Sequence, residues 1–147
     1  MKKFVFSLQK MYDYKKQILE AEKNNLMSLR REKNNLELRV EELIKNMEDV
    51  REASAKEVAK GTTASRLMFY SMQMDGIKRE QTQLKYQIGL MDMKIEKQRR
   101  KVVSLSQDVF GLEKLREEQK SEYDHLAVKE NENAIEEFLS FKLSSAE

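Results

Sequence analysis

Apolar residues return at seven-residue intervals through almost the whole chain, and the pattern is interrupted only once. In the first half the series Val5, Tyr12, Leu19, Leu26, Lys33, Val40, Met47 runs beside Leu8, Lys15, Glu22, Leu29, Leu36, Leu43, Val50. Eleven of these 14 positions are apolar, well above the 39% of the chain as a whole. In the second half, Leu67, Met74, Gln81, Ile88, Ile95, Val102, Val109, Arg116, Tyr123 runs beside Tyr70, Ile77, Leu84, Met91, Gln98, Leu105, Leu112, Gln119, Leu126, and 14 of these 18 are apolar. A heptad repeat of this length specifies coiled-coil helices and excludes strands, whose apolar residues alternate. The composition agrees: there is no Pro, only four Gly, and 37% of the residues are charged. A compact globule of this size needs several chain reversals, and those use Pro and Gly.

The interruption is Lys60-Gly61-Thr62-Thr63. Gly61 can adopt the left-handed conformation that ends a helix, with Lys60 favourable in the last turn. Thr62, Thr63 or Ser65 can cap the next helix. The expected fold is therefore all-α: a single coiled-coil hairpin over residues 1–147, with helix 1 at about 5–59, the turn at about 60–64 and helix 2 at about 65–140. A short turn makes the helices antiparallel, and folding near residue 62 pairs positions whose numbers sum to about 124. In that register every polar seam residue faces an apolar one, with Glu22 by Val102 and Gln98 by Leu26. Helix 1 then covers helix 2 only to about residue 119. Residues 120–147 project beyond it, with Ile135, Phe138 and Leu139 on one uncovered face.

Charge points the same way. Residues 1–20 hold five Lys against Asp13 and Glu20, whereas residues 113–137 hold nine acids against four Lys or Arg. Antiparallel pairing brings the two excesses together. The overall balance, 28 basic and 26 acidic residues, demands neither nucleic acid nor a membrane. Zero Cys excludes disulfides and Cys-based metal or redox sites. No stretch reaches the ~18 apolar residues of a membrane span, and no secretory signal opens the chain.

Chemistry-bearing residues are sparse. His125 is the one histidine, and it reads as a surface residue. Glu117-Glu118 and Glu136-Glu137 imitate acid pairs, but two helices offer no concave site to shift their pKa values. No glycine loop suited to phosphate is present. Arg99-Arg100-Lys101 is flanked by acids without interleaved aromatics, which suits a solvated face better than a nucleic-acid contact. The sequence thus predicts no enzyme, no cofactor and no metal. A different feature stands out after the turn: Met68, Phe69 and Met72, with Gly76 a turn further, fall outside both seam series. Phe69, Met72 and Gly76 share one face. Met adapts to recognition surfaces and Gly permits close approach, so this patch is expected to dock another protein. Gly76, Gly89 and Gly111 each cost about 1 kcal/mol relative to Ala inside a helix and are expected to soften it locally.

The two termini carry more specific patterns. The start, Phe4-Val5-Phe6-Ser7-Leu8-Gln9-Lys10-Met11-Tyr12-Asp13-Tyr14-Lys15, resembles the opening of the flagellar FliJ family: Phe-x-Phe-x-Leu, two apolar residues, then an Asp-aromatic-Arg step, here ending in Lys15. The segment LEKLREEQKSEY (112–123), with Glu130 and Glu136-Glu137-Phe138 after it, resembles that family's C-terminal helix. The resemblance implies a cytoplasmic component of the flagellar type III export apparatus, peripheral to the inner membrane through its partners. FliJ is similar to the gamma stalk of rotary F-type ATPases. By that likeness Phe4, Phe6, Leu115, Tyr123 and Phe138 would meet the export ATPase ring. Met68, Phe69, Met72 and Gly76 would meet the cytoplasmic domain of the export-gate protein FlhA, and the family is also described as an export chaperone or escort, for export substrates or chaperones. The competing expectation is a generic scaffold that self-associates through its leftover apolar patches.

Overall fold

A computed structural model describes residues 2–146 as an all-α hairpin of two long helices packed against each other. Helix α1 spans Gln9–Lys60 and α2 spans Ala64–Ala146. Gly61 has φ +89°, the only left-handed residue among those described, and its N–H donates to the Val58 carbonyl at 3.2 Å. Thr63 is the cap: its hydroxyl accepts the Arg66 N–H at 3.2 Å, satisfying one of the free donors at the start of α2. Helix α2 continues without a break through Gly76, Gly89 and Gly111.

Contacts divide the chain into two compact units. Residues 22–101 form a turn unit, and residues up to 21 together with those from 102 onward form a terminal unit. In the turn unit, Leu26, Leu43, Met47, Tyr70 and Leu84 form the buried seam, and Leu43 is the most enclosed at 2% exposure. All belong to the heptad series. The cross-helix pairs Lys33–Asp92 (2.7 Å) and Glu57–Arg66 (2.6 Å) sum to 125 and 123, the register expected. In the terminal unit, Phe6, Leu19 and Val109 are buried, and Lys15–Asp108 (3.3 Å) keeps the same register.

Three expectations fail in informative ways. Helix α1 starts at Gln9, not near residue 5, because residues 2–6 are non-helical and 7–8 form a turn. Extended backbone alternates its side chains with period two. Phe6 is buried and Phe4 and Leu8 are half-buried, an alternation of this kind, while Val5, a predicted seam residue, is 79% exposed. Second, Glu22 and Gln98 do meet, so one polar layer is doubled: the Gln98 amide donates to the Glu22 carboxylate and to its backbone carbonyl. Lys101 adds an ion pair at 3.0 Å. The Gln98 hydrogen bond first, then Lys101 and Asn25, hold the Glu22 carboxyl below its usual range. A flexible amide reaching sideways adds a partner to a carboxylate that an apolar neighbour would have left to Lys101 and Asn25 alone. Third, the seam drifts near both ends of α2: Leu67, Arg116 and Leu126 are exposed, while Leu115 is half-buried.

Candidate interaction surfaces

In the terminal unit the extended N-terminal segment lies along α2. The Phe4 and Tyr123 rings meet at 5.5 Å with a 53° tilt, and the Lys120 ammonium sits 5.3 and 5.1 Å from their centroids. Such tilted pairs and cation–π contacts stabilise beyond area burial. The Tyr123 hydroxyl donates to the Lys2 carbonyl. One helical stretch further in, the Tyr12 hydroxyl donates to Glu113 at 2.8 Å, and that carboxylate acceptor raises the phenol above its ordinary value of 10.0.

This arrangement separates the five terminal residues singled out by sequence. Phe6 is 4% exposed and fills the chain's own core, which removes it from any exposed contact surface. Phe4, Tyr123 and Leu115 are half-buried, and Leu115 shares a shallow groove with Gln119 and His125. Phe138 is 63% exposed. Every residue from 128 to 146 is exposed, so the uncovered length of α2 begins later than residue 120, once Tyr123 has met Phe4. Ile135, Phe138 and Leu139 form its apolar face, and Phe141 and Leu143 follow.

The turn-proximal residues lie together on the turn unit. Met68 and Met72 are each 66% exposed and Phe69 is about half exposed. Phe69 is held in place: the Arg66 guanidinium lies 5.5 Å from its ring centroid, and buried Tyr70 packs edge-on at 5.9 Å. Arg66 is itself bound to Glu57, which lies below its usual carboxylate range chiefly because of that bond. Gly76 is half-buried in a groove with Gln73, Ile77, Asn46 and Asp49, and a methyl group added there meets nothing within 4 Å.

Sequence reasoning missed how far this surface runs. From Phe69 and Met72, steps of four and three lead through Gly76, Arg79 and Gln83 to Tyr86, Leu90 and Met93. Tyr86 and Met93 are 69% and 70% exposed, and Leu90 is less so. A second heptad series on the same helix, offset from the seam, was the available signal.

The basic run at 99–101 is taken up by ion pairs. Arg99 and Arg100 are bound to Glu96 at 2.8 and 3.2 Å, which pulls the Glu96 carboxyl down to about 2, and Lys101 is bound to Glu22. Among the described residues no group of three or more His, Cys, Asp or Glu could hold a metal, and no helix is long and apolar enough to cross a membrane. A comparison with protein-family models matches residues 4–147 to the family described as Flagellar FliJ protein. No curated protein and no solved structure gives a match.

Proposed function

Since the chain belongs to the flagellar FliJ family and is thus a component related to flagellar protein export, we propose that it is a non-enzymatic coupling stalk between the export ATPase ring and the export gate. The observation that carries this reading is the presence of one ordered, uncovered apolar surface in each unit. A chain built only to fold would leave neither exposed over such lengths. In the terminal unit, the face of Ile135, Phe138 and Leu139 meets the ATPase ring, with Phe4, Leu115 and Tyr123 at its base. Phe6 acts there from inside, by fixing the N-terminal segment that carries Phe4. In the turn unit, Met68, Phe69, Met72 and Gly76 meet the cytoplasmic domain of FlhA. Export chaperones are further partners. The chain works in the cytoplasm and reaches the inner membrane at the flagellar base only through these partners.

The test is co-purification of the export ATPase and the FlhA cytoplasmic domain with wild type, Phe69→Ala and a chain ending at residue 126. Phe69→Ala is expected to weaken the gate contact alone, and the truncation the ATPase contact alone. If both variants retain both partners at wild-type levels, the surface assignments are wrong.

A further inference from the structure

The exposed stripe on α2 is complementary to itself. Its positions alternate in spacing of three and four from Phe69 to Met93, all within the turn unit. Met72 and Tyr86 come two residues after the buried seam positions Tyr70 and Leu84, about 200° around the helix. Helix α1 therefore lies away from Met72 and Tyr86, while Gly76 and Leu90 at the edge of the stripe also border grooves lined by α1. In an antiparallel coiled coil the two alternating position types face each other across the seam. Inverting the stripe about the level of residue 81 sets Phe69 against Met93, Met72 against Leu90, Gly76 against Tyr86 and Arg79 against Gln83.

Each of these layers is chemically matched. The two outer ones are apolar on both sides. In the third, the most protruding ring of the stripe faces the residue with no side chain, and the space above Gly76 is open. In the central layer the Arg79 guanidinium can donate to the side-chain carbonyl of Gln83 from the second chain. Shifting the inversion by one heptad in one direction places Leu90 against Arg79 and Tyr86 against Gln83. Shifting it in the other places Met72 against Gln83 and runs Met93 past the turn. Parallel in-register pairing stacks Arg79 on Arg79 and Gly76 on Gly76, a repulsion and a void in the middle of the seam.

We infer that the turn unit self-associates through this outer face of α2, as a two-fold antiparallel pair of chains centred at residue 81. Such an isologous contact closes on itself and gives a dimer, not a filament. Phe69, Met72 and Gly76 are covered in that dimer, so it excludes any other partner from the same face. The inference concerns the isolated chain and stands or falls separately from the gate assignment.

Sedimentation equilibrium of the full chain over about 1–200 µM tests it, a range suited to a modest interface. Wild type is expected to pass from monomer to dimer with concentration. Met72→Glu and Leu90→Lys each put a charge opposite an apolar residue twice per dimer, and each is expected to weaken association at least about tenfold with unchanged helical circular dichroism. The double variant places the new carboxylate opposite the new ammonium only in the antiparallel register, and it is expected to recover association to within a few-fold of wild type. A wild-type chain that stays monomeric, a dimer that ignores Met72→Glu, or a double variant no better than the singles would each overturn the inference. The first result would leave the stripe to a different protein.

Discussion

Phe6 and Val5 are adjacent, both apolar, and opposite in consequence. Phe6 is 4% exposed and Val5 is 79% exposed. Fully burying a Phe side chain is worth about 1.5–3 kcal/mol by area. If its loss also releases the segment, the Phe4–Tyr123 ring pair goes too, at about 0.5–1.5 kcal/mol. Removing the Phe6 ring should therefore cost roughly 2–3 kcal/mol of docking free energy, below the upper range for core Phe→Ala because a terminal segment can undock instead of leaving a cavity. The backbone provides reporters: the Gln9 N–H donates to the Phe6 carbonyl at 3.1 Å and the Tyr12 N–H to the Leu8 carbonyl at 2.9 Å. Amide hydrogen exchange at Gln9 and Tyr12 should accelerate by at least about thirtyfold in Phe6→Ala, since 1.4 kcal/mol is a factor of ten. Val5→Ala should leave both amides within about twofold of wild type. Equal effects from the two variants, or acceleration of Phe6→Ala below about threefold, would show that the segment does not dock with period-two alternation.

Other substitutions separate backbone from packing effects. Gly61→Ala forces a Cβ into φ +89° and should destabilise the hairpin by roughly 1–2 kcal/mol in urea denaturation. Gly89→Ala, where an added methyl meets nothing within 4 Å, should stabilise by up to about 1 kcal/mol in the same assay. Leu43→Ala empties the best-enclosed seam position and should cost about 2–3 kcal/mol, near the low end for buried Leu because open grooves flank the seam. Acid should weaken the fold through Glu96, Glu57 and Glu22, whose folded pKa values lie below the ordinary 4.5. Their contribution is present above that value and is lost as pH falls below it, for Glu96 toward about 2, so the thermal midpoint should decline on acidification, and Glu96→Gln should flatten part of the decline. Tyr12 behaves oppositely. Its raised pKa makes its contribution complete below 10 and lost as pH rises past the folded value, which a Tyr12→Phe variant would remove.

The hairpin was legible because its determinants are local. A period of seven and one glycine between capping residues state two helices and a reversal, and among the described residues seven of the eight buried apolar ones fall on the heptad series. The eighth, Phe6, does not, because a helical period was carried back into a segment that is not helical. There parity replaces periodicity, and the Phe-x-Phe-x-Leu spacing becomes three inward side chains in a row. The Glu22–Gln98 layer was missed for another reason. Backbone register places both residues beside apolar neighbours, and only the length of the glutamine side chain lets it cross to the carboxylate. The turn-proximal patch was seen at its first three positions but not along its length to Met93, since residues outside a seam are usually taken as solvated. Family membership, not side-chain geometry, points to the export apparatus.

The fold-back at Gly61 underlies every surface assigned here, and it can be measured directly. The chain has no cysteine, so Asn34→Cys and Lys94→Cys introduce two spin labels, one on each helix of the turn unit, without background. Helix axes in contact are 8–10 Å apart, which with label arms gives a distance below about 25 Å by double electron–electron resonance in samples diluted with unlabelled chain. That short, narrow distribution is the predicted result. An uninterrupted helix through Gly61 would place the labels about 90 Å apart at ~1.5 Å per residue, and loss of the short distance on dilution would contradict the hairpin equally.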